Sequence, residues 1–314
     1  MRIAVFGTGG VGGYFGGRLA QAGEEVVFIA RGKHLQAMRD HGLRVDSIKG
    51  DFHVQPVQAT DDPAEAGKMD LILVCVKAWQ IPEAAAAMQP LLGPDTLVLP
   101  LLNGVEAPAQ LGAVVGEERV LGGLCGIMAF IADAGYIRHL AIDPFIKFGE
   151  LDNRRSQRVE ALLATLSQTE GLTVEIPADI HVAMWQKFMF IIASSGLGSV
   201  TRAPIGVYRS QPETARILKQ TLQEVYDVAQ AYKIALPADI VATTLDAFNR
   251  LPEMGTASMQ RDIMSGRPSE LEAQTGALVR LGRSAGVATP VNEFIYACLL
   301  PMELRARGEI QFEI

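Results

Sequence analysis

Three glycines near the start of the chain have the spacing of a phosphate-binding turn. Gly7, Gly9 and Gly12 form the pattern GxGxxG directly after a short apolar run, Arg2–Phe6, and directly before a helical segment. In this context the first glycine permits a tight turn, the second lets the backbone approach a pyrophosphate, and the third allows close helix packing. A glycine-rich helix entry that binds nothing has the same spacing, but the strand before it and the helix after it favour a dinucleotide site. That predicted site comprises Gly7, Thr8, Gly9, Gly10, Val11 and Gly12.

The end of the second predicted strand distinguishes between two dinucleotides. NAD-binding proteins usually place an acid there to bond the ribose 2′-hydroxyl, whereas this strand, Glu25–Ala30, is followed by Arg31. A guanidinium at that position can hold a 2′-phosphate by charge-assisted hydrogen bonds, with Lys33 and His34 as candidates to assist. An ordinary solvated loop arginine is the alternative. The position of Arg31 favours NADP(H) as the cofactor.

Further motifs occur along the rest of the chain, and each is modest by itself. They are Val76–Gln80 (VKAWQ), Leu102–Gly104 (LNG), Trp185–Phe188 (WQKF) and Ser258–Asp262 (SMQRD) followed by Glu270. Together with the glycine turn and Arg31, they resemble the ketopantoate reductases (2-dehydropantoate 2-reductases) over nearly the whole length. The resemblance implies reduction of the 2-oxo group of ketopantoate with NADPH to give pantoate, a precursor of pantothenate and coenzyme A.

Catalytic roles for two residues come from the resemblance. Lys187 matches the family's general acid, and a lysine ammonium at neutral pH can stabilise a developing alkoxide and then donate a proton. Glu270 matches the carboxylate that binds the substrate hydroxyl. The sequence by itself equally allows Lys187 to reach from a core helix to water, and Glu270 to open an ordinary helix.

Binding roles follow in the same way for three more residues. The resemblance makes Asn103 and Ser258 candidate substrate contacts, puts Asn103 close to the nicotinamide as well, and makes Lys77 a cofactor contact alongside Arg31. Ser195 is a further candidate substrate contact, at a position where the family carries an asparagine. Asn103 and Lys77 follow predicted strands, at the edge where open α/β sheets bind ligands. Without the resemblance, Asn103 begins a common Asn-Gly turn pair and Lys77 is a surface charge.

One part of the match fails on a predicted helix face. Lys187, Ile191 and Ser195 lie at i, i+4 and i+8 and therefore share one face. Well-known family members have asparagines at the two later positions. A buried substrate group left without a partner there would cost roughly 1–3 kcal/mol. Either other residues hold ketopantoate, or the substrate is a different, less polar 2-oxo compound.

The elements that must position these residues change type along the chain. Apolar runs predict strands at 2–6, 25–30, 70–76 and 96–100, with one or two short strands in 43–57. Strands at 127–131, 136–140 and 145–148 are expected to extend the same sheet in mixed orientation, before a helix at 156–171 and a strand at 173–176. Helical periodicity then covers 181–194, 213–232, 239–250, 271–285 and 291–303. We expect an α/β protein with an N-terminal Rossmann-type doubly wound domain (residues 1–178) and an all-helical substrate and catalytic domain (residues 179–314).

Composition excludes several other classes of protein. The 314 residues carry a formal net charge of −7, which argues against a nucleic-acid partner. Only three cysteines occur and the five histidines are scattered, so neither a disulfide framework nor a metal site is expected. The N-terminus has one arginine and then begins a strand, which is not typical of a signal peptide, and no apolar stretch reaches the length of a membrane span. We expect a cytoplasmic protein that acts on a small 2-oxo acid, with a homodimer possible.

Two alternatives to ketopantoate reduction stay open. The first is a paralogous NADPH reductase of another 2-oxo acid, which a panel of substrates would reveal. The second, of a different class, is a non-catalytic NADP(H)-binding sensor. Retention of both Lys187 and Glu270 argues against the sensor, because a sensor has no need of a proton donor.

Overall fold

The computed structural model describes residues 1–313, which fall into two compact units. The first unit contains residues 1–102 and 106–183, and the second contains residues 103–105 together with the chain from residue 184 onward. We predicted a division between residues 178 and 179. The second unit therefore includes a three-residue loop, 103–105, that belongs by sequence to the first half.

A five-stranded parallel sheet forms the centre of the first unit. Its strands are β1 (Arg2–Phe6), β2 (Glu25–Ile29), β5 (Gln58–Thr60), β6 (Met69–Val74) and β7 (Leu92–Pro100), in the order β5-β2-β1-β6-β7. The helices of this half are α1 (Gly10–Gln21), α2 (Gly32–His41), α3 (Ile81–Ala87) and α4 (Ala107–Val115). Strand β1 is apolar and buried from Ile3 to Phe6 because both faces of a parallel sheet are covered. The predicted Rossmann-type fold of the N-terminal half is confirmed.

The remaining strands of this unit form a second sheet. They are β3 (Leu43–Ser47), β4 (Phe52–Val54), β8 (Gly122–Asp133), β9 (Tyr136–Gly149) and β10 (Thr173–Glu175), and α5 (Gln157–Leu166) lies between β9 and β10 in the chain. The order is β10-β9-β3-β4, with β8 paired to β9. The expectation that strands 127–148 extend the first sheet is therefore wrong. Strand β9 pairs instead with β3, in parallel orientation.

Helix α1 packs against both sheets, and its glycines make this possible. A β-carbon on Gly16 would lie 2.7 Å from Val5 of the first sheet, and one on Gly17 would lie 2.8 Å from Phe52 of the second. A β-carbon on Gly13 would similarly lie 2.8 Å from Ile137. Side chains larger than hydrogen would push the sheets away from the helix, so these glycines serve packing.

Strand β9 is a single strand where we predicted two. The predicted break between residues 140 and 145 coincides with Ile142, whose φ is 67°, and with shifts in the β8–β9 register. A residue with positive φ interrupts the alternation of side chains, which is the pattern on which the prediction depended.

The second unit is helical, as predicted. Its helices are α6 (Ile180–Thr201), α7 (Ile205–Ser210), α8 (Pro212–Ala231), α9 (Ile240–Arg250), α10 (Ser258–Met264), α11 (Ala277–Ala285) and α12 (Pro290–Ala306), with a π-helical turn at Glu272–Gly276. The first residues of α6 belong to the first unit. Helices α7 and α10 were not predicted, because six or seven residues are too few to establish a helical period. Within residues 1–313, no helix has the length and apolar character needed to span a membrane.

Candidate functional site

The glycine turn has the geometry that its spacing predicts. Gly7 has a φ of 91°, and a β-carbon there would lie 2.7 Å from the backbone nitrogen of Val76, so only glycine fits. A β-carbon on Gly12 would lie 2.2 Å from the carbonyl oxygen of Gly7. In contrast, a β-carbon on Gly9 would meet no protein atom within 4 Å. The turn is therefore closed on the side of the sheet and open beside Gly9, where a ligand could approach the backbone.

The start of α1 supplies hydrogen-bond donors at this turn. The helix begins at Gly10, so the N–H groups of Gly10, Val11 and Gly12 have no carbonyl partner within the helix. Such a helix end favours anions. The hydroxyl of Thr8 donates to the carbonyl oxygen of Ile29 at 3.2 Å and ties the turn to β2. The residues fit the phosphates of a dinucleotide.

A cavity of about 240 Å³ lies next to the turn, entirely within the first unit. Its lining combines the turn, the end of β2 and the start of α3. The lining residues are Phe6, Gly7, Thr8, Gly9, Ile29, Ala30, Arg31, His34, Val76, Gln80, Glu83, Ala84 and Ile131. The predicted cofactor residues Gly7, Thr8, Gly9 and Arg31 are thus brought together in one cavity.

Arg31 has a partner that the sequence did not predict. Its Nη2 atom forms an ion pair with Oε1 of Glu83 at 2.8 Å, and both side chains are largely exposed. Glu83 lies 52 residues further along the chain in the first turn of α3. No local pattern signals this contact, because it depends on how α3 packs beside the end of β2.

His34 lies one turn into α2 and lines the same cavity. Its Nδ1 atom accepts a hydrogen bond at 3.0 Å from the backbone N–H of Gly135, which assigns the proton of the neutral ring to Nε2. Burial lowers the pKa of His34 from its ordinary value of 6.5, and the backbone of Thr8 partly opposes this shift. The imidazole is therefore held neutral at physiological pH.

Lys77 begins a short 3₁₀ turn after β6. Its backbone N–H donates to Oε1 of Gln80 at 3.1 Å, and its ammonium lies 5.8 Å from the ring centre of Trp79. The cavity wall on this side is formed by Val76 and Gln80. Lys77 is placed beside the cavity, and its predicted contact with the cofactor stays a prediction.

In the second unit, two predicted residues are in direct contact. The side-chain amide of Asn103 donates to Oε2 of Glu270 at 3.2 Å. The loop is fixed at this position, since a β-carbon on Gly104 (φ 101°) would lie 2.7 Å from the carbonyl oxygen of Ala273. The Asn-Gly pair is thus more than a turn signal: Gly104 permits close packing while Asn103 binds the carboxylate.

A π-helical turn follows Glu270 and adds a residue that sequence reasoning missed. The N–H of Gly276 bonds to the carbonyl of Leu271 at 2.9 Å, five residues back, and such turns are frequent at functional sites. Gln274 in this turn is fully buried, and its Nε2 atom lies 3.5 Å from Oε2 of Glu270. Its Oε1 atom has no hydrogen-bond partner among the described residues. A buried amide oxygen without a donor is costly, which marks Gln274 as a candidate ligand contact.

The remaining predicted residues lie on helices of the same unit. Lys187 is partly buried on α6, and Trp185 and Phe188, which flank it in the sequence, are buried. No ion pair to Lys187 is formed by any carboxylate in residues 1–313, so its charge is available to a substrate anion. Ser195, two turns further, is 1% exposed, and Ser258 opens α10. Across the described chain, no hydrogen bond joins Lys187, Ser195 or Ser258 to the Asn103–Glu270 pair.

Comparison with known families covers most of the chain. The family model described as Ketopantoate reductase PanE/ApbA matches residues 3–153, and the one described as Ketopantoate reductase PanE/ApbA C terminal matches residues 179–303. A relative from Bacillus subtilis (strain 168), described as an uncharacterized oxidoreductase YkpB, is 32% identical and covers 95% of this chain and 98% of its own.

Solved structures with the same fold carry two different enzyme names. The 2-dehydropantoate 2-reductase from Geobacter metallireducens GS-15 is 29% identical, with a TM-score of 0.90 over 96% of this chain and 99% of that one. A D-mandelate dehydrogenase solved with NADH and anilino(oxo)acetate has a TM-score of 0.89 at 24% identity, over 98% of this chain and 99% of that one. The fold is therefore shared by enzymes with different substrates.

Proposed function

Because the chain belongs to the Ketopantoate reductase PanE/ApbA family of oxidoreductases, we propose that it reduces 2-dehydropantoate (ketopantoate) to pantoate with NADPH. The hydrogen bond between Asn103 and Glu270 carries this proposal, because it fixes a buried carboxylate as an acceptor for a substrate hydroxyl. Pantoate is a precursor of pantothenate and coenzyme A, so this reaction would belong to their biosynthesis.

NADPH, when bound, supplies the hydride that reduces the substrate carbonyl carbon. The protein's own part is to hold the nucleotide. The free N–H groups at the start of α1 and the open side of Gly9 receive the pyrophosphate, and Arg31 binds the 2′-phosphate. Lys77, at the end of β6, is proposed as a second cationic contact to the cofactor.

Lys187 acts as the general acid in this proposal. Reduction of a ketone makes its oxygen an alkoxide, which needs both charge stabilisation and a proton. An ammonium with no competing ion pair among residues 1–313 can provide both, first as a hydrogen-bond donor and then as a proton donor. Lys187 is partly buried on α6.

Glu270 and Asn103 orient the substrate. Asn103 donates to one carboxylate oxygen of Glu270, and a carboxylate accepts several hydrogen bonds at once, so a substrate hydroxyl is proposed as a further donor. Ser258 and Ser195 are proposed as further polar contacts, and Asn103 is also proposed to lie near the nicotinamide. A hydroxyl-bearing 2-oxo acid satisfies all of these groups together.

A second candidate function, reduction of a different 2-oxo acid, is favoured by one observation. Ile191, which is only partly buried, presents an apolar side chain where related reductases carry an amide. Ile cannot pair with a polar group of the substrate, and a buried group without a partner is penalised. The alternative substrate would carry an apolar group toward Ile191.

A substrate panel tests the two candidates. We would measure kcat/KM for NADPH oxidation with ketopantoate, with an analogue lacking the hydroxyl, and with bulkier apolar 2-oxo acids. The proposal predicts that ketopantoate is preferred, since Glu270 needs a hydroxyl donor. Preference for an apolar 2-oxo acid, reversed toward ketopantoate by Ile191→Asn, would establish the alternative instead. Nucleotide binding without turnover of any substrate would indicate a sensor.

A further inference from the structure

The cavity beside the glycine turn is lined by a cationic side chain, Arg31, and an anionic one, Glu83. The sequence predicted only the cation. Arg31 follows β2 and Glu83 lies in the first turn of α3, and both line the cavity with Gly7 and Gly9. Their side chains are joined at 2.8 Å from Nη2 to Oε1. The Arg31 guanidinium is therefore already engaged by a carboxylate before any 2′-phosphate is present.

The two charges favour different nucleotides. A carboxylate in this region accepts a hydrogen bond from the ribose 2′-hydroxyl of NADH, and an arginine binds the 2′-phosphate of NADPH. The usual position of the acid, the end of the second strand, is occupied by Arg31. The fold supplies a carboxylate from another element, because α3 begins beside that strand end.

We propose that Glu83 determines the cofactor preference of this protein. Glu83 holds Arg31 away from the 2′-phosphate and repels that phosphate, while it provides an acceptor for the 2′-hydroxyl. The pair therefore moderates selectivity for NADPH and permits NADH to bind. This inference rests on the proposed reductase function, whose cofactor site it concerns.

Exposure of the pair allows it to open. The side chain of Arg31 is 65% exposed and that of Glu83 is 61% exposed, and ion pairs in water are weak because solvent and salt screen them. A phosphate monoester carries up to two negative charges and can displace a single carboxylate from the guanidinium. Binding of NADPH then leaves the carboxylate of Glu83 without its ion-pair partner and close to the 2′-phosphate. The repulsion between these two negative groups weakens NADPH binding.

The experiment compares dissociation constants for NADPH and NADH, measured by nicotinamide fluorescence in the absence of substrate. Glu83→Gln is expected to tighten NADPH binding by roughly 3- to 10-fold, because one repulsive charge is removed and Arg31 is released. NADH binding is expected to weaken or stay constant. The matched control is Glu160→Gln. Like Glu83, Glu160 lies in the first turn of a helix, α5, and forms an ion pair with an exposed arginine, Arg155.

The outcomes separate this inference from the proposed function. A larger NADPH preference in Glu83→Gln than in wild type and Glu160→Gln supports it, and so does loss of that effect in an Arg31→Ala background. An unchanged ratio of the two constants in Glu83→Gln overturns it while leaving the reductase assignment intact. A wild-type protein that binds neither nucleotide overturns both.

Discussion

Asn103 donates a hydrogen bond to Glu270 at 3.2 Å, although 167 residues separate them in the sequence. Glu270 is 5% exposed, and a carboxylate so far from water needs donors to offset its lost hydration. The loop that carries Asn103 is held against the segment after Glu270 by the close packing of Gly104 on Ala273. The acceptor and its donor are therefore positioned by backbone packing rather than by long, mobile side chains.

Replacing Glu270 by Gln should lower kcat/KM for ketopantoate by roughly 10- to 100-fold, because hydrogen bonds to a charged acceptor are worth about 1.5–3 kcal/mol. If the carboxylate binds the substrate hydroxyl equally in the ground state and the transition state, the fall in kcat/KM should come mainly from a higher KM, with kcat little changed. Steady-state kinetics at saturating NADPH measures this. Glu272→Gln is the matched control, since Glu272 lies in the adjacent turn and pairs with Arg280. Equal losses in both variants would contradict the role of Glu270.

Replacing Gln274 by Met should lower kcat/KM by about 10-fold. The variant lacks the buried amide oxygen that would accept a hydrogen bond from the substrate, and it also lacks the amide N–H that forms a long hydrogen bond to Glu270. The dissociation constant of NADPH should not change. Thr275→Val is the control, since Thr275 is also fully buried in this turn and its hydroxyl oxygen has no partner among the described residues. A fall in melting temperature with unchanged kcat/KM in Gln274→Met would show that Gln274 is only structural.

Stability should depend on pH through His34. Burial lowers the pKa of His34 below 6.5 in the folded protein, so the unfolded chain binds the proton first. The contribution of neutral His34 to the free energy of unfolding is therefore complete above about pH 6.5, the pKa in the unfolded chain. It is lost as the pH falls through the lower pKa of the folded protein. His34→Asn keeps an acceptor for the N–H of Gly135 and removes the titration.

Melting temperatures at pH 7.5 and at mildly acidic pH, compared between wild type and His34→Asn, test this. Wild type should lose more stability on acidification than the variant. His41→Asn, at an exposed histidine on the same helix, should behave as wild type. Identical pH dependence in wild type and His34→Asn would mean that the ring is not held neutral by its surroundings.

Much of the fold could be predicted because its signals are local. The strand Met69–Val74 contains the unbroken apolar run Leu71–Val74, and the helix after the glycine turn follows directly from the spacing of Gly7, Gly9 and Gly12. The second sheet could not be predicted, because the pairing of β3 with β9 joins residues about ninety positions apart and leaves no periodic signal.

The candidate site divides in the same way. The turn glycines and Arg31 were identified from spacing and position, and Asn103 and Glu270 from resemblance, and each of these two groups is brought together in the structure. Glu83 and Gln274 were missed, because each gains its meaning from a residue on another element. The roles of Lys187, Ser195 and Ser258, and the possible homodimer, stay predictions.

The most direct test of the account is the rate of NADPH oxidation with ketopantoate in wild type and Lys187→Ala. We expect an unchanged dissociation constant for NADPH and a fall in kcat of roughly 10²- to 10⁴-fold, the range for loss of a general acid. Lys219→Ala, at an exposed lysine on α8, should retain wild-type kcat. Near-normal turnover in Lys187→Ala would contradict the proposed chemistry.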